Sequence, residues 1–115
     1  MKVIVDTNSL IYSLENKIDL FDFFDKNGFE IIILNCLMKK IKKINKKKFK
    51  LISEIISNKK IKIKNNMGGH TDDIIIEMAK KNKYAIVTND KVLKKKSAKE
   101  KIILYTVGKN SVKKI

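Results

Sequence analysis

Short apolar runs that end in polar clusters alternate along this chain with stretches in which apolar residues recur every three or four positions. Val3 to Val5 is a run of the first kind, closed by Asp6-Thr7-Asn8, and reads as a buried strand opening into a loop or helix start. Leu10, Ile11 and Leu14, then Leu20, Phe21 and Phe24, keep helical spacing with acidic residues between them, which predicts a helical segment stopped at Gly28. Glu30 to Leu34 is a continuous apolar run, the pattern of a strand covered on both faces. From Leu37 to Ile56 the helical period returns, interrupted by Lys46 to Lys48, and predicts two helices with a basic joint.

Ile61 and Ile63 alternate with lysines, as in a half-exposed or edge strand, and Asn65 to Gly69 then breaks the pattern as a loop. A helix carrying Ile75, Ile76, Met78 and Ala79 follows, with Thr71 or Asp72 suited to its N-cap. Tyr84 to Thr88 reads as a strand ending in Asn89-Asp90, Lys91 to Lys96 as a lysine-rich helix, and Ile102 to Val107 as a last strand before a basic tail. Strands alternating with helices predict an α/β domain: a three-layer sandwich with a central, mostly parallel sheet of about five strands. At 115 residues the chain suits one such domain, residues 1 to 115.

That architecture gives the polar residues a place to meet. In open parallel sheets, sites form outside the carboxyl ends of the strands, and two strands here end in an aspartate, Asp6 and Asp90. Asp72 and Asp73 open a helix between them. Taken singly, each of these is as readily a helix cap or a turn residue. Taken together, a cluster of carboxylates disfavours its own ionisation unless a cation sits among them, and an all-oxygen donor set suits Mg²⁺ or Mn²⁺. Such an ion orients water and lowers its pKa, which is the chemistry of phosphodiester hydrolysis.

Charge narrows the substrate. The formal net charge is +15, and all 27 basic residues are lysine. A surplus of this size attracts polyanions through counterion release, with nucleic acid the foremost; the same surplus is also what a Lys-, Asn- and Ile-biased composition leaves on a solvated surface. One cysteine, Cys36, and one histidine, His70, exclude an intramolecular disulfide and a Cys/His zinc site. The apolar stretch before Asp6 is too short for a signal peptide and no run approaches a membrane span, so a cytoplasmic protein without membrane contact is expected.

The order VIVDTN, then HTDDIIIEMAKKNKYAIVTND, then a lysine-rich stretch resembles the PIN-domain family over nearly the whole chain, in particular the small PIN proteins that process small-subunit ribosomal RNA. The Asp72 to Ala79 spacing and the following Thr88-Asn89-Asp90 carry the likeness. The resemblance implies a metal-dependent endoribonuclease acting on structured ribosomal RNA, with Asp6, Asp72 and Asp90 as catalytic metal ligands, Asp73 as an additional ligand, and Asn8 and Thr88 holding carboxylates or water in place. It implies one or two Mg²⁺ or Mn²⁺ ions and, by family analogy, a homodimer. One departure stands out: where the family places a glutamate early in the helix after the second strand, this chain has Lys40. A cation there disfavours a second metal and is expected to pair with Asp6 or Asp90; Glu77 or Glu54 would be the substitutes. Lys39, Lys40, Lys43, Lys94 and Lys95 are candidate RNA-binding residues, with Tyr12 or Tyr105 for stacking on unpaired bases and His70 as an RNA contact, a proton donor or a surface cap. Two other readings share these residues: an RNA-binding protein with a decayed metal site, motivated by Lys40, and the toxin ribonuclease of a toxin and antitoxin pair.

Overall fold

Three consecutive residues without solvent exposure, Val3, Ile4 and Val5, mark β1 (Lys2–Val5) as a strand buried on both faces. In the computed structural model, which describes residues 1–59, 61–64 and 71–115 and only the backbone of residues 7, 62, 64 and 71, β1 is the third strand of a six-stranded sheet. The order is β3-β2-β1-β4-β5-β6, with β2 (Glu30–Leu34), β3 (Lys62–Lys64), β4 (Ala85–Val87), β5 (Leu104–Val107) and β6 (Val112–Lys114). The first five in that order are parallel, as the alternating pattern predicts, and β6 adds an antiparallel edge in what reads from sequence as a basic tail.

Between β1 and β2 the predicted helical segment is two helices, α1 (Thr7–Glu15) and α2 (Leu20–Lys26). The break is made by Lys17 in a left-handed conformation (φ 54°) and by Asp19, whose side chain accepts from the Asp22 amide at 2.9 Å and so caps α2. Gly28, at φ 78°, turns the chain into β2 as expected of a helix stop. The β2–β3 crossover carries α3 (Asn35–Ile44) and α4 (Lys46–Lys59). Their joint is the single residue Asn45, so Lys46 to Lys48 lie inside α4 rather than between the helices. The returning crossovers are α5 (Thr71–Asn82) and α6 (Lys91–Lys99). Thr71 is already helical, so Thr71 and Asp72 lie in the first turn, and the cap falls outside the described residues together with the loop from Asn65 to Gly69 and His70.

The chain steps from β1 outward to β2 and β3, then returns past β1 to β4 and β5. Because parallel crossovers are right-handed, that reversal sends α1 to α4 to one face and α5 and α6 to the other. The packing agrees: α3 lies against α1 and α4, and α5 against α6 and β4. The reversal also makes the gap between β1 and β4 the topological switch point, the place where such sheets bind ligands at their carboxyl edge.

Candidate active site at the carboxyl edge of the sheet

Continuing the β1–β4 register by one residue sets Asp6 level with Thr88, and continuing β1–β2 by two sets it level with Leu34. Asp6 is therefore held between two strand ends, and its amide donates to the Val87 carbonyl at 3.0 Å. It occupies the N-cap position of α1 but its side chain makes no cap bond there. Instead the Thr88 hydroxyl donates to Asp6 Oδ2 at 3.0 Å. Both residues are buried, Asp6 at 8% exposure and Thr88 at 0%. The same hydroxyl accepts from the Asp90 amide at 3.0 Å, so one oxygen, using its donor and acceptor capacity together, ties the two strand-end aspartates into one network.

Asp90 has a structural duty of its own. Its Oδ1 accepts from the Val92 and Leu93 amides at 2.8 and 3.0 Å and caps α6, which leaves Oδ2 outside the cap. Between Thr88 and Asp90, Asn89 fastens the edge in a way the sequence does not announce. Its side chain donates to the Val107 carbonyl at 2.9 Å and accepts from the Val107 amide and the Thr106 hydroxyl, both at 2.8 Å, locking the end of β4 to the end of β5.

The neighbouring aspartates of α5 part company. Asp72 is half-buried and shares the stripe of Ile75 and Ala79, three and seven residues on, both of which are buried against the sheet side. Asp73 turns outward with its side chain 72% exposed, 4.0 Å from Lys96 of α6. Glu77 and Glu54, the candidate substitutes for a missing glutamate, are exposed as well. Among the described residues, no three His, Cys, Asp or Glu side chains converge closely enough to hold a metal ion by themselves. The donor chemistry nonetheless fits Mg²⁺, which keeps several of its waters and is commonly held by only one or two carboxylates together with substrate phosphates. Ser9 adds to that fit: it lies three residues from Asp6 on the buried stripe of α1, and its hydroxyl is fully buried without a hydrogen-bond partner among the described residues.

Around this edge, Asn8 is exposed in the first turn of α1, and Lys39, Lys40 and Lys43 are exposed on α3, which starts beside Asp6 at the end of β2. Lys40 forms no ion pair among the described residues, so the expected pairing with Asp6 or Asp90 is not made: its exposed side chain lies a full turn along the helix from the strand ends. Its charge and that of Lys39 reach Cys36, in the first turn of α3, where burial raises the thiol pKa and nearby amides and these lysines pull it part of the way back. Lys95 is exposed and Lys94 half-buried on α6. Tyr105 is not available for stacking, because its ring is engaged edge-on by Phe23, Phe24 and Phe29 at 6.2, 5.1 and 5.6 Å. No helix among the described residues is long and apolar enough to cross a membrane.

Comparison with known proteins agrees with this fold. Residues 3–108 match the family described as PIN like domain. Ribonuclease VapC4 of Methanocaldococcus jannaschii is 30% identical over 118 residues, covering 92% of this chain and 89% of the relative. The solved structure of the PIN domain endonuclease Utp24 superposes with a TM-score of 0.81 at 26% identity, over 99% of this chain and 92% of that one. A domain of a functionally unknown protein from Methanocaldococcus jannaschii shares the fold with a TM-score of 0.64 at 16% identity, over 93% of this chain and 91% of the other.

Proposed function

We propose, from the premise that the chain belongs to the PIN-like domain family, that it is an endoribonuclease cleaving RNA phosphodiester bonds with a divalent cation, Mg²⁺ or Mn²⁺, at Asp6, Asp72 and Asp90. The observation that carries this reading is the Asp6–Thr88–Asp90 network at the switch point of the sheet. Similarity to a protein named a ribonuclease and to one named an endonuclease supports RNA hydrolysis as the reaction. The resemblance of the H-T-D-D and T-N-D segments to ribosomal RNA processing enzymes favours structured ribosomal RNA as the substrate.

In this reading the cation supplies charge stabilisation at the phosphate and a more acidic water. The protein's own groups set the stage for it. Thr88 fixes the rotamer of Asp6 by donating to Oδ2. The α6 cap fixes Asp90 through Oδ1 and presents Oδ2. Asp72 faces the sheet from the first turn of α5, whereas Asp73 serves the surface. Ser9 would gain, from a hydrated cation held at Asp6, the hydrogen-bond partner its buried hydroxyl lacks among the described residues.

A second reading, an RNA-binding protein without catalysis, is favoured by one specific feature: α3 has no acidic residue in its first turn and carries Lys40 where the family places glutamate. Incubating the purified protein with structured ribosomal RNA and Mn²⁺ separates the two. Cleavage by wild type that is lost in Asp6→Asn supports the nuclease. No cleavage by wild type, with activity appearing in Lys40→Glu, sinks it in favour of the decayed site. The toxin reading shares the chemistry, and a neighbouring antitoxin gene distinguishes it.

A further inference from the structure

Asn45 ends α3 and begins α4, its amide donating to the Ile41 carbonyl at 2.8 Å while its side chain accepts from the Lys48 amide at 3.1 Å. Around this tight corner stand Lys42, Lys43, Lys46, Lys47 and Lys50, all exposed. Of these, Lys42 lies 5.7 Å from the Phe49 ring, and none forms an ion pair among the described residues. Only Lys48, directed inward, is neutralised, by Glu15.

The placement violates local preference. The first turn of α4 is the positive end of a helix dipole, where acidic residues stabilise and lysines do the opposite, yet it contains no acidic residue and a run of three lysines. Like charges one turn apart repel as well. Unpaired cations concentrated where the backbone disfavours them favour a polyanion, which relieves the repulsion. Lysines present compact point charges rather than a planar fork, so the corner suits phosphates.

The geometry points to the α3–α4 corner as a phosphate anchor for the RNA that enters the active edge. It takes its substrate from the ribonuclease reading above. α3 leaves the carboxyl end of β2 level with Asp6, and its ten residues rise about 15 Å to the corner. At the ~3.4 Å per phosphate of a stacked strand, the anchored phosphates lie about four nucleotides from the scissile bond. RNA shorter than that span cannot engage both places.

The test measures fluorescence anisotropy of 5′-labelled uridine oligonucleotides of 3 and 12 nucleotides on an Asp6→Asn background. Two variants remove equal charge: Lys43, Lys46, Lys47 and Lys50→Gln at the corner, and Lys81, Lys99, Lys113 and Lys114→Gln elsewhere on the exposed surface. The corner variant is expected to bind the 12-mer at least ~10-fold more weakly, with a salt slope shallower by about 3 at ~0.7 per contact, and to leave 3-mer binding unchanged. Its melting temperature at low salt should rise by about 4 °C, as repulsion is removed from the start of α4. Equal losses in both variants mean that binding follows net charge alone and overturn the anchor. Should Asp6→Asn bind normally while wild type cuts no RNA, the nuclease reading fails and the anchor stands.

Discussion

The Thr88 hydroxyl joins Asp6 to Asp90, donating to the carboxyl group of one and accepting from the amide of the other, each at 3.0 Å. Replacing it with an isosteric apolar group leaves Asp6 Oδ2 and the Asp90 amide without that partner in a buried setting. Thr88→Val should lose about 2–3 kcal/mol in urea unfolding and most RNA cleavage, whereas Thr88→Ser, which keeps the hydroxyl, should recover both. Equal behaviour of the two variants would remove the hydroxyl from any positioning role.

Asp90 carries a cap and a candidate ligand on one side chain, and the two are separable. Asparagine caps a helix as well as aspartate does but lacks its charge, so Asp90→Asn should unfold within a few tenths of a kcal/mol of wild type while abolishing cleavage. Asp90→Ala should lose about 1 kcal/mol as well. Denaturant midpoints beside activity give both answers in one experiment.

Among the described residues, two buried hydroxyls, Ser9 on α1 and Ser97 on α6, have no hydrogen-bond partner. Removing such a group relieves its desolvation cost, so Ser97→Ala should stabilise the fold by about 1 kcal/mol. Ser9→Ala should do the same in EDTA. In saturating Mg²⁺, wild type should regain ground on Ser9→Ala, because on the nuclease reading the cation binds at Asp6, three residues from Ser9 and remote in sequence from Ser97. Parallel shifts of the two variants with and without Mg²⁺ would detach Ser9 from the cation.

Burial lifts the Cys36 thiol pKa, while Lys40 and Lys39 pull it down. A raised folded pKa means the native state holds the thiol proton more tightly than the unfolded chain. Its contribution to stability is therefore present below the ordinary thiol value and fades as pH rises through the folded one. Since the thiolate is the nucleophile, iodoacetamide at pH 8 should label native Cys36 several-fold more slowly than the unfolded chain, and Lys40→Glu should slow it further. Faster labelling of Lys40→Glu would show that the lysine charge does not act on the thiol.

Much of this fold was legible because its strands are short apolar runs with polar ends: β1, β2 and β4 sit where hydrophobicity alone puts them. The α1–α2 break was not, because it uses neither glycine nor proline; a lysine takes the left-handed turn and an aspartate caps the restart. β6 escaped notice because only Val112 of its three residues is buried, too little for an alternating pattern. At the site, strand ends pointed to Asp6 and Asp90, and likeness to a family drew in Thr88. The division of labour between Asp72 and Asp73 required the phase of α5, which the positions of Ile75 and Ala79 fix only once that helix is docked. Asn89 reads as a turn residue in isolation, and its bonds to β5 depend on a neighbour some 18 residues away.

Asp6 and Thr88 are pinned by backbone bonds to neighbouring strands, and Asp90 by the Thr88 hydroxyl and the α6 cap, while Lys40 stands exposed on α3. The site is thus modular: one half is inseparable from folding, and the other can change sign by a single surface substitution. On the nuclease reading, a lineage carrying such a scaffold can gain, lose or regain catalysis without passing through an unfolded intermediate sequence, so activity and architecture are free to evolve at different rates.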